Sequence, residues 1–171
     1  IEGYRTVLER DVSNAQALSA LERLGKQPAY ELVIADLLEP LYRVMGDHQK
    51  LIAAHEVQVR CTEDSARRVE LLHQIAQLHE DAAVDHSSAF STLARALKVD
   101  PANDLTQTQI DRVARATGRF ADLATVYHQL GAEQEDADLA CALTMMNAHV
   151  YEADIGDVET AIALYRAVLE L

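Results

Sequence analysis

Apolar residues recur at intervals of three and four through much of the chain, and one stretch shows the pattern in full. Val69, Leu72, Ile75 and Ala76, continued by the partly apolar His79, make a single stripe along the segment 69–79. That is the period of a helix with one buried face. A turn near Val84 follows, and Asp85 is placed to cap a second helix by accepting a backbone N–H. Its stripe is Ala89, Phe90, Leu93, Ala96 and Leu97, and Asp100-Pro101 stops it and opens another helix. Strand-like alternation and β-branched runs are almost absent, so the chain is expected to be all-α, with about nine to ten helices. Gly25-Lys26-Gln27-Pro28 marks a break between a helix at about 13–25 and another at about 29–45. Pro40 falls inside the latter, where it should kink or split it.

The pattern returns. Sliding the sequence by 72 residues aligns 46–99 with 118–171 without a gap. The identities include Gly46/Gly118, Leu51/Leu123, Asp64/Asp136, Leu71/Leu143, Ala76/Ala148, Asp85/Asp157 and Ala89/Ala161. These are turn, cap and small-residue positions, the ones a helical hairpin specifies most tightly. The first nine residues return near the end as well: Ile1, Tyr4, Arg5, Val7, Leu8 and Glu9 reappear as Ile162, Tyr165, Arg166, Val168, Leu169 and Glu170. Between the first and second copies of this helix the offset is 89, which leaves 17 extra residues somewhere in 12–45. Repeat units are therefore expected at about 46–117 and 118–171, with an irregular stretch over 12–45.

Ala76/Ala148, His79/Tyr151, Ala89/Ala161, Leu93/Tyr165, Ala96/Val168 and Pro101 fall on the small, aromatic and proline positions of the tetratricopeptide repeat, which this chain resembles. The 72-residue echo is about two such ~34-residue units. The likeness is closest over 65–101 and 137–171, and elsewhere only the helix–turn spacing is kept. The resemblance implies a right-handed α-solenoid of antiparallel helix hairpins over residues 1–171, of the degenerate bacterial kind. Because the chain starts at Ile1 and both ends fall inside a repeat, it reads as a piece of a longer array.

Charge narrows the partners. The formal net charge is −13, and residues 120–171 hold ten acids against Arg166 alone. Such a surface repels phosphate backbones, so nucleic acid is not an expected partner. The acidic half is either a solvated face or a docking surface for a basic partner. No apolar run has the length to cross a bilayer, so membrane insertion is not expected either. Cys61 and Cys141 belong to no metal or disulfide spacing and read as reduced, packed thiols, which points to the cytoplasm.

Candidate chemistry is sparse. The seven histidines never fall three or four apart, and no nucleophile, phosphate-loop or dinucleotide motif occurs. No catalytic, cofactor-binding or metal-ligating residue is expected, and the chain does not read as an enzyme. Glu63-Asp64, Glu80-Asp81 and Glu135-Asp136 lie at helix ends, where capping explains them. Met145-Met146 reads as core filling in preference to an adaptable contact.

What the resemblance adds is a wall for binding. The first helix of each hairpin should line it with Asp36, Arg43, His73, Gln77, Glu80, Arg112, Arg115, Met145, His149 and Glu152. Arg112 and Arg115 would be the directional anchors for a partner's carboxylates, unless they are simply solvated. Asn147 and these arginines are too few for a clamp on a C-terminal carboxylate. The expected function is a non-enzymatic scaffold that binds a protein or peptide, or another part of the same protein. The alternative is a structural spacer or self-association arm.

Overall fold

A computed structural model describes residues 1–82 and 84–170. The described residues are helical throughout, with no strand, and divide into two units, Ile1–Asp85 and the residues from His86 onward. The first unit holds α1 (Glu2–Arg10), α2 (Ala15–Leu24), α3 (Glu31–Met45), α4 (His48–Cys61) and α5 (Ser65–Asp81). The second holds α6 (His86–Val99), α7 (Asp104–Thr117), α8 (Phe120–Glu133), α9 (Ala137–His149), a π-helical turn (Val150–Ile155) and α10 (Val158–Val168).

Element boundaries repeat at the sequence offset. α4 and α8 each have 14 residues and start 72 positions apart. α3 and α7 end at Gly46 and Gly118, left-handed at φ 67° and 69°, where a Cβ would be strained. Asp64 caps α5 by accepting from the amides of Ala66 and Arg67, and Asp136 caps α9 through Asp138 and Leu139. The hairpin turns close alike. The Asp85 amide donates to the His79 carbonyl at 2.8 Å, and the Asp157 amide to the Tyr151 carbonyl at 2.9 Å. Val84 (φ 50°) stands where the second copy has Gly156 (φ 81°), so a β-branched residue occupies the left-handed position in the first copy.

The 17-residue excess is one helix. Asn14 caps α2 by accepting from the Ala17 amide at 3.1 Å, and 89 residues on, Asn103 caps α7 through the Thr106 amide at 3.0 Å. α3 matches the same α7 at the 72-residue offset, so α2 and α3 are both counterparts of α7. Pro40 does not split α3, which runs from Glu31 to Met45. It is exposed, so water can take the carbonyl that its ring leaves unbonded.

Within the first unit α3 packs on α4, α4 on α5 and α1 on α2, whereas α2 touches α3 only slightly. Leu8, Leu21, Ile34, Leu38, Tyr42 and Leu51 form the centre of its core. In the second unit α6 packs on α7, α8 on α9, α9 on α10, and the π turn on both α8 and α10. Ala76, Ala89, Ala148 and Ala161 are all essentially inaccessible, as small residues must be where helices cross closely. The copies differ inside. His55 and Gln58 take the places of Tyr127 and Leu130, and Asn147 the place of Ile75, all of them buried. His55 Nδ1 meets Gln58 Oε1 at 2.8 Å, and Gln58 Nε2 donates to Asp36 Oδ1 at 2.9 Å. The buried polar pair of the first copy is therefore bonded to itself and to α3, as burial requires. Asn147 is less well provided, its Oδ1 having no partner.

Candidate partner-binding cleft

Four helices of the second unit meet around a cleft of about 360 Å³. Its buried members are Tyr127 on α8 and Val150, the first residue of the π turn. Met145, Met146 and His149 from α9, Tyr165 from α10 and Asp111 from α7 complete it. Helical spacing puts the α9 residues there: 145, 146 and 149 lie on one side of the helix, and 143, 147 and 148 carry the buried side. Met145 is 50% exposed, so it does not fill core as the sequence pattern suggested. A flexible thioether in the open suits an adaptable contact surface.

The polar groups around the cleft are tied together. Arg115 on α7 pairs with Asp154 of the π turn and lies 3.6 Å from Asp111. Asp154 is only 6% exposed, and its second oxygen is buried without a partner. Tyr127 Oη makes a long contact of 3.5 Å with Asp111 Oδ1, and Tyr165 Oη donates to Glu152 Oε2 at 2.8 Å. Burial, with Asp111 adding to it, pushes the Tyr127 phenol well above its usual range. The Glu152 hydrogen bond raises the Tyr165 phenol in the same way. Both phenols stay protonated, acting as donors rather than bases. The cleft thus combines thioether and aromatic surface with an excess of carboxylates.

The expected wall residues are divided between the units. Arg115, Met145, His149 and Glu152 come together in or beside this cleft, whereas Arg112 is exposed on α7. Arg115 already holds two carboxylates of its own chain. Asn147, considered for a carboxylate clamp, is 2% exposed and faces the core. In the first unit Arg43 pairs with Glu39 at 2.5 Å, and Gln77 donates to Asp81 at 2.7 Å. His73 and Glu80 are half-buried on α5, and burial lowers the His73 pKa. Asp36, as noted, accepts from Gln58.

Sequence reasoning missed a second recess, of about 380 Å³, among α2, α3 and α4. Ile34, Leu38 and Tyr42, each almost wholly buried, form its floor, where α2 touches α3 only slightly. Glu22 stands at its rim, accepting from Tyr42 Oη at 3.0 Å and from Lys50 Nζ at 2.8 Å. The Lys50 ammonium sits 5.5 Å above the Tyr42 ring, and Glu22 raises its pKa. The only available signal was the 17-residue excess itself, which marks an irregular junction but names no side chain.

Both thiols are free, and Cys61 Sγ lies 3.4 Å from Glu31, which helps burial push its pKa up. Among the described residues no group of three or more His, Cys, Asp or Glu side chains is disposed to hold a metal ion. Nor is any helix among them long and apolar enough to cross a membrane. No protein-family model matches the chain, and no curated protein matches it either.

Proposed function

We propose that this chain is a non-enzymatic scaffold of tetratricopeptide-like repeats, its antiparallel hairpins stacked as a right-handed α-solenoid, that binds a protein or peptide partner. The observation that carries the reading is the cleft of the second unit, where exposed Met145 and His149 and the half-buried Tyr165 stand over buried Tyr127 beside a fixed carboxylate network. The repeated boundaries of α3–α5 and α7–α9 support the repeat architecture, since the caps and turns recur at one offset. The cleft's phenols are held protonated, which favours binding over general-base chemistry.

One observation favours the spacer or self-association reading as a second. Ile162 on α10 and Leu169 just after it are exposed, and so are Tyr4 and Val7 on α1 and Ile1 just before it, a stretch that matches α10 in sequence. Sedimentation of the chain across concentrations separates the two, because an arm of this kind dimerises and a monomeric scaffold does not. The direct test of the first reading is a photoactivatable residue at position 145 of the full-length protein in its own cell, with position 159 as control. Partner capture at 145 and not at 159 is expected; equal capture at both positions, or at neither, rejects the cleft as the binding site.

A further inference from the structure

The charge around the second-unit cleft names the chemistry of what enters it. We infer that the cleft takes a basic segment of the partner protein, seating an arginine or lysine side chain against the Tyr165 ring and the Met145 thioether, beside Asp111 and Glu152. This rests on the scaffold reading above and specifies its partner.

Three observations lead there. First, local cations are already used. Arg115 is shared by Asp111 and Asp154, and residues 120–171 contain no base except Arg166. Asp111 and Glu152 stand at the cleft with Asp154 behind them, three carboxylates to the one guanidinium of Arg115. That surplus disfavours an acidic ligand and favours a cation. Second, the accessible lining includes the Tyr165 ring and the Met145 thioether, with Tyr127 buried behind them; the ring attracts a guanidinium or ammonium, and the thioether covers its methylene stem. Third, the phenol hydroxyls are already directed at carboxylates, so the rings are held in place before a ligand arrives.

The test is fluorescence anisotropy with the intact chain and three labelled peptides of equal length, alternating leucine with arginine, glutamine or glutamate. The arginine peptide is expected to bind at least about tenfold tighter than the glutamine peptide, and the glutamate peptide not to bind. Asp111→Asn with Glu152→Gln should weaken the arginine peptide at least about fivefold. Asp138→Asn with Glu159→Gln removes the same charge from exposed positions outside the cleft, and should change affinity by less than about twofold. Equal weakening by both pairs would show attraction to net charge alone and overturn the inference, as would equal affinity for arginine and glutamine peptides. Cross-linking at position 145 to a partner segment lacking arginine and lysine would overturn it too, while leaving the scaffold reading intact.

Discussion

Arg115 was expected to reach for a partner, and the structure gives it an internal duty whose loss can be sized. Asp154 is 6% exposed, with one oxygen unpartnered and the other held by Arg115. Arg115→Ala therefore strands a carboxylate that is nearly out of water. Breaking a fully buried pair from one side costs about 3–5 kcal/mol. Here Arg115 itself is 46% exposed, and truncation lets water approach, so the smaller cost of an unmet buried group applies, about 1–3 kcal/mol. With a urea slope of about 2 kcal/mol/M, the unfolding midpoint should fall by about 0.5–1.5 M. Asp154→Ala in the same background should recover part of that loss, giving a coupling energy of about 1 kcal/mol in a double-mutant cycle. A loss below about 0.3 kcal/mol, or full additivity of the two changes, would refute the claim that Arg115 and Asp154 brace α7 against the π turn.

Other consequences follow from the repeat. Val84→Gly should stabilise by about 0.5–1 kcal/mol, since the second copy already uses Gly156 at this left-handed position; a lower midpoint in urea would mean Val84 is not strained. Ala148→Leu should overpack the crossing of α9 with its neighbours and cost about 1–3 kcal/mol, and an unchanged midpoint would show the contact is misplaced. His73 has its pKa lowered by burial from 6.5, so the unfolded chain binds more protons just below that pH. Stability should therefore fall as pH drops through the ordinary histidine value toward the lowered one, and His73→Gln should flatten that slope. A variant as pH-sensitive as the parent would exclude His73 as the cause.

The fold was legible where local chemistry dictates it. Gly46 and Gly118 end their helices as the left-handed position requires, and Asp64 and Asp136 cap theirs through backbone amides. The break at 25–28 fell correctly between α2 and α3, for Gly and Pro punctuate the chain without tertiary help. What pattern could not supply was anything settled by packing. Nothing in Val150–Ile155 announces a π turn, and Asn147 gives no sign in sequence that it replaces the buried Ile75. The site shows the same division. Met145, His149 and Glu152 share α9 and the π turn that continues it, and the resemblance put them on one wall. It could not show that Arg115 is occupied, since Asp154 lies 39 residues away, nor that Asp111, Tyr127 and Tyr165 close the cleft. Those contacts depend on how α7, α8 and α10 meet α9.

Methionine methyl groups offer the most direct measurement, because the chain has three: Met45 on α3, and Met145 and Met146 on α9. Carbon-labelled methyl spectra of the intact chain, titrated with the arginine–leucine peptide, report where binding occurs. The account predicts that the Met145 and Met146 signals move together and saturate, with Met45 unmoved. Movement of Met45 with the α9 pair unchanged, or drift of all three without saturation, would contradict a cleft in the second unit as the binding site.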